Sequence, residues 1–250
     1  MNPIPTLVAV VALSALITAL LLWRRIPEPW MPAWALLRGA TQLALLSLIL
    51  GGIIGDPGWV AVALLVMFGA AVWTVRQRIG RSTRSTLIVA VSLAAGVVVP
   101  LGVVFLAGAV EASGRYLLAF GGIIIGGSMT VATLAGRHFN EALVSRHDEV
   151  EAWLSLGATP PQAMHDLATH AIHHALIPST DQTRTTGLVA LPGSFVGAIF
   201  GGASVWQAGM FQLVVLTGIL AAGVITTTLL TTGMSRSLKT STGAAPLPGA

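Results

Sequence analysis

The sequence predicts an all-α, polytopic membrane protein, and three observations carry that prediction. Only 13 Lys and Arg and 9 Asp and Glu occur among 250 residues, 9% charged in all, against roughly 25% in an ordinary soluble domain. Hydrophobic residues make up 54%, and the mean hydropathy is +0.84. The charges are also segregated: residues 1–23, 39–55, 57–75, 85–110, 116–136 and 185–235 contain none. A hydrocarbon layer about 30 Å thick needs about 20 helical residues. Five of these stretches therefore accommodate one helix apiece and the last accommodates two, giving about seven spans. A barrel is excluded because the apolar runs lack the ten-residue alternation that its strands require.

Taken in order, the first span, about Ile4 to Trp23, is followed rather than preceded by positive charge, at Arg24 and Arg25. That polarity is the reverse of a secretory signal, so the span is expected to be retained with its N-terminus outside. Alternation then places residues 24–33, 76–86, 136–186 and the tail in the cytoplasm. Those segments hold 11 of the 13 basic residues, among them Arg76, Arg81, Arg84, Arg137, Arg146, Arg184, Arg236 and Lys239. Only Arg115 is expected outside, as the positive-inside rule requires. The expected site is thus a cell membrane, inner or plasma, with a cytoplasmic C-terminus. Residues 1–234 form one transmembrane domain, and the Ser-, Thr-, Gly- and Pro-rich tail 235–250 is expected to be disordered.

One segment breaks the pattern of short loops. Residues 136–186 read as a cytoplasmic excursion, and connections of that length are usually functional. Asn140 to Leu156 reads as an amphipathic helix, apolar at Leu143, Val144, Val150, Trp153 and Leu154. Gly157 then terminates it, Thr159 is a natural N-cap, and Pro160 suits the first turn of a second helix running to about Ile177. The excursion is a helix, an elbow and a helix.

The composition also excludes functions. Zero cysteines remove disulfides and thiolate chemistry. The sole lysine, Lys239, follows no phosphate-cradling glycine loop, so the chain binds no nucleotide and is not itself an enzyme. The net charge of +4 lies beside the spans and implies the lipid bilayer rather than nucleic acid as its partner. His170, His173 and His174 share one helix face and are weak metal-ligand candidates, with Asp166 the one carboxylate placed to complete a set. Arg38 is the charge inside a span, with Gln42 one turn on. Polar groups that a solute could meet concentrate at Arg38, Gln42, Ser128, Met129, Pro192 and Gly193, which are the candidate substrate path.

The runs Leu154-Ser155-Leu156-Gly157-Ala158-Thr159-Pro160-Pro161-Gln162-Ala163, Ala175 to Asp181 and Gly187 to Gly193 closely resemble the iron-export type of ABC transporter permease, a family that includes relatives of plant aluminium-tolerance permeases. The resemblance extends over most of the chain. Glu151-Ala152, Gly157 and Gln162-Ala163 also resemble the permease loop that docks on an ATPase. By that resemblance residues 155–166 are a coupling helix, with Glu151, Ala152, Leu156, Gly157, Ala158, Thr159, Pro160, Gln162 and Ala163 meeting a separate ATP-binding subunit that carries ATP and Mg. A homodimer exporting a metal ion or another small solute is implied. A stand-alone carrier or channel is the alternative, disfavoured because the expected spans hold no carboxylate. The family's common Pro-Gly-Met-Met is Pro192-Gly193-Ser194-Phe195 here, so two thioethers that suit a metal are missing.

Overall fold

The computed structural model describes residues 3–53, 56–80 and 82–237, and the ordered elements are helical. The chain divides into two units, Met1–Asp56 and Pro57–Ala250. The first holds α1 (Pro3–Trp23) and α2 (Met31–Ile53), which pack on each other. The second holds α3 (Pro57–Ile79), α4 (Thr83–Leu106), α5 (Gly114–Ser145), α6 (His147–Ser155), α7 (Pro160–Ala163), α8 (His165–Thr185), α9 (Gly193–Phe200) and α10 (Val205–Ser237).

Among the described residues five helices, α1, α3, α4, α5 and α10, are long and apolar enough to cross a membrane. The chain is a multi-pass membrane protein. α2, with 23 residues, fills the second expected span. The last charge-free stretch departs from expectation, because α10 takes 33 residues while α9 has eight. At 1.5 Å per residue α9 is about 12 Å long, well short of a crossing. Pro192 opens it and a turn through Gly202, at φ +95°, closes it, so the expected pair of spans there is replaced by one span and a short helix. Of the expected disordered tail, 235–237 complete α10 and the remainder lies outside the described residues.

In the second unit α10 packs along α4, α5 and α8, and α5 also packs on α3. Helices in lipid gain little from hydrophobic transfer and rely on close backbone approach, which small residues permit. Gly96 of α4 shows this: a Cβ there would lie 1.8 Å from Thr226 Oγ1 and 2.9 Å from the Ala222 carbonyl of α10. Phe120, Ile124 and Ile125 of α5 fill the core against Val97, Val215 and Ala222. Toward the elbow, Val75, Val89, Leu93, Ala132 and Leu230 continue it.

The ends of α3, α4, α5 and α10 nearest the elbow gather together. Asn140 Nδ2 donates to the Ile79 carbonyl at 3.1 Å, and Arg84 Nη2 donates to the Arg236 carbonyl at 3.4 Å. Arg76, Arg78, Arg84, Arg137, Arg146 and Arg236 therefore belong to this end. Arg184, expected with them, does not: it lies at the far end of the 21-residue α8.

Candidate functional site

The elbow is built by local rules. α5 runs on to Ser145, so the expected amphipathic helix 140–156 is divided: its first part extends α5 and its second is α6. Arg146, at φ −116° and ψ 30°, makes the break. Its guanidinium donates two bonds of 2.7 Å to Glu149, and that pairing raises its pKa further above an already high value.

α6 then ends in a Schellman motif. The Ala158 N–H donates to the Trp153 carbonyl and the Gly157 N–H to the Leu154 carbonyl, both at 3.0 Å, with Gly157 at φ +91°. A Cβ on Gly157 would meet nothing within 4 Å, so glycine is required by the backbone angle and not by space. Thr159 caps α7: its N–H and its hydroxyl donate to Gln162 Oε1 at 2.9 and 2.7 Å. Both bonds run from Thr159 to the Gln162 side chain and fix the entry to a proline-led helix. The second helix of the elbow is interrupted once, at Met164, and α8 continues past the expected Ile177 to Thr185.

The inner side of the elbow is anchored. Val150, Ala163, Met164, Leu167 and Ala171 are buried with Phe139 of α5, and Met234 of α10 packs on them. Its outer side is open: the large apolar side chains of Trp153 and Leu156 are 52% and 81% exposed. With Gly157, Ala158 and Gln162 they line a shallow cleft of about 390 Å³. Glu151, Ala152 and Thr159 are exposed beside it, and Pro160 is half-buried. The elbow is thus a rigid knob, fixed to three long helices and apolar at its tip.

The candidate path residues lie on separate elements. Arg38 and Gln42 sit one turn apart on α2, in the first unit. Ser128 is 1% exposed, and Met129 packs on both apolar cores of the second unit. Ser128 Oγ and Thr226 Oγ1 are buried with no hydrogen-bond partner. Pro192 is the N-cap of α9 and its carbonyl accepts the Val196 N–H at 3.2 Å, so it is engaged in a helix start. Ser194 Oγ donates to Gln212 Oε1, tying α9 to α10.

The histidines gain a member that the sequence did not suggest. His138 of α5 lies against His174, ring centroids 5.7 Å apart, and His170 and His173 are 6.5 and 5.7 Å from His174. Only a contact between helices reveals His138. Among the described residues no three His, Asp or Glu side chains converge closely enough to hold a metal ion.

The family described as Uncharacterised protein family (UPF0014) matches residues 4–238. UPF0014 membrane protein STAR2 of Oryza sativa subsp. japonica is 31% identical over 226 residues, 90% of this chain and 79% of the relative. Protein ALUMINUM SENSITIVE 3 of Arabidopsis thaliana is 30% identical over 190 residues, 75% of this chain and 70% of the relative. Probable iron export permease protein FetB of Escherichia coli (strain K12) is 29% identical over 196 residues, 78% of this chain and 76% of the relative. No solved structure matches.

Proposed function

The chain belongs to the UPF0014 family of membrane proteins, and from that premise we propose that it is the membrane-spanning permease subunit of an ABC transporter. The observation that carries this reading is the anchored elbow. Trp153 and Leu156 project from a knob whose base is packed on α5, α8 and α10. A cleft on an ATP-binding subunit that receives the knob can push all three helices at once, and nucleotide-driven motion needs such a rigid lever to reach the spans. Residues 155–166 act as the coupling helix, with Glu151, Ala152, Leu156, Gly157, Ala158, Thr159, Pro160, Gln162 and Ala163 forming the contact.

ATP and Mg belong to that partner, and this chain acts without a catalytic centre. Two copies form the transporter, and the solute is a metal ion or another small polar species moved outward. Export is the direction suggested by the name of the Escherichia coli relative, the probable iron export permease. Basic residues gathered at the elbow end make that end cytoplasmic. Within the second unit Pro192 and Gly193, at the start of α9, border the path, and Arg38 and Gln42 remain its candidates within the first. Ser128 and Met129 join it only in a state where the bundle opens.

The test is co-purification with the ATP-binding subunit encoded beside it, followed by ATP hydrolysis against a panel of metal ions and nucleotide sugars. A stable complex whose hydrolysis is stimulated by one solute supports the reading. A chain that transports alone, with no ATPase bound, contradicts it and favours a carrier.

A further inference from the structure

α8 has the composition of a soluble helix, with four His, two Asp and one Arg among the residues of His165–Thr185. Its position is not that of one. A Cβ on Gly233 of α10 would lie 2.5 Å from Ile88, near the start of α4 at the elbow end. Gly223 is ten residues back along α10, about 15 Å away, which is half of a hydrocarbon layer about 30 Å thick. Leu176 of α8 reaches that depth, its Cδ2 3.1 Å from where a Gly223 Cβ would be, with Val131 of α5 at 3.7 Å. Asp181 is five residues beyond Leu176, about 7.5 Å further from the elbow, and Arg184 about 12 Å further.

The helix shows two faces. Leu167, Ala171 and Ala175, at i, i+4 and i+8, are buried against α5 and α10. His170, His173, His174, Ile177, Asp181, Arg184 and Thr185 are exposed. Asp181 and Arg184 pair at 3.5 Å yet stay 58% and 76% exposed. Pro178 supplies no N–H to the His174 carbonyl, leaving a further backbone acceptor in the same stretch. A carboxylate and a released carbonyl at that depth are too costly to face lipid; they face water or protein.

We propose that α8 crosses the membrane and that its exposed face, from His170 through Ile177 and Asp181 to Arg184, is the wall of a water-filled path for a hydrophilic solute. This deepens the permease reading and rests on it for the solute, but the wetness of the face stands on the geometry alone. Imidazole nitrogens line the half nearer the elbow and a neutralised carboxylate–guanidinium pair the other half. Such a wall passes small polar solutes without presenting an excess of either charge.

Because the chain has no cysteine, single cysteines can be placed in the natural sequence. Ile177→Cys, Asp181→Cys and Thr185→Cys, in the full chain in opened membranes, are treated with a membrane-impermeant methanethiosulfonate cation. Val98→Cys on the exposed apolar side of α4 and Ala175→Cys on the buried side of α8 are the controls. The expected rates at 177 and 185 are about a hundredfold above both controls, as for water-exposed against lipid-facing or packed thiols. Position 181 follows 177 if its loss of charge is tolerated, and 177, near mid-depth, decides the matter regardless, with 185 near the far boundary as a positive control. A rate at 177 no faster than at Val98→Cys overturns the proposal. Absent labelling with a copper-catalysed disulfide between two copies at 177 also overturns it, assigning the face to a sealed interface. Wet positions in a chain that binds no ATPase would keep the path and refute only the permease reading.

Discussion

α8 and α10 lie side by side in the second unit, yet they belong to different kinds of helix. α10 is apolar enough to be read as a span from composition alone, whereas α8 carries histidine, aspartate and arginine along one face. They meet at Gly223 of α10, against which Leu176 of α8 packs. The difference teaches that hydropathy reports what a helix faces and not how deep it lies. α10 shares its sides among α4, α5 and α8 and buries Ala208, Val215, Gly218, Ala222, Gly223 and Leu230 there, while Leu213 and Val224 stay exposed as in a lipid-facing span. α8 buries only a narrow stripe and leaves the rest to something polar.

The largest expected effect comes from breaking the packing on the α10 side. Gly96→Val places side-chain atoms where Thr226 Oγ1 and the Ala222 carbonyl already are. Overpacking costs about 1–3 kcal/mol when neighbours can shift. Backbone cannot shift cheaply, so the variant should fail to accumulate as a monodisperse protein in detergent. An unchanged melting temperature would show that α4 and α10 do not approach as described. The same reasoning predicts that Ile177→Ala, on the exposed face of α8, leaves thermal stability nearly untouched.

Second is the elbow. Gly157→Val forces a β-branched residue to φ +91°, a left-handed angle that costs about 1–2 kcal/mol for an L-residue. The spans should fold, while transport per ATP hydrolysed falls roughly tenfold, about 1.4 kcal/mol lost from coupling. Gly157→Asn, which tolerates that angle, should retain most of the coupling. Equal behaviour of the two would mean the angle is irrelevant. Third, Gln162→Ala removes the acceptor that holds both the N–H and the hydroxyl of Thr159. Loss of such a cap costs about 1 kcal/mol, expected as a severalfold weaker ATPase association in a binding titration and no change in the spans. Smallest of all, Glu149→Gln should alter neither melting temperature nor coupling, because the Arg146–Glu149 pair is solvent-exposed.

The elbow was legible in the sequence because its signals are local. A glycine after an apolar helix, then Thr-Pro-Pro with Gln three residues after the threonine, specify a stop and a restart without reference to anything distant. The long apolar spans were legible for the same reason. What was not legible depended on contacts. Residues 136–186 read as one cytoplasmic excursion by alternation of the spans, whereas the stripe Leu167, Ala171, Ala175 packs α8 along α5 and α10. Ser128 was a path candidate because it is polar in an apolar run; in the folded bundle it points inward, buried beside no partner. His138 joins His174 only across two helices.

The account stands on α8 carrying the chain from the elbow end to the opposite end of the bundle. Single cysteines at Asp148, fully exposed on α6, and at Leu188, 92% exposed in the turn after α8, measure this in intact cells with an impermeant maleimide. The account predicts that Leu188→Cys is labelled from outside while Asp148→Cys is labelled only after the membrane is opened. Labelling of both, or of neither, before opening would put the two turns on one side and contradict it.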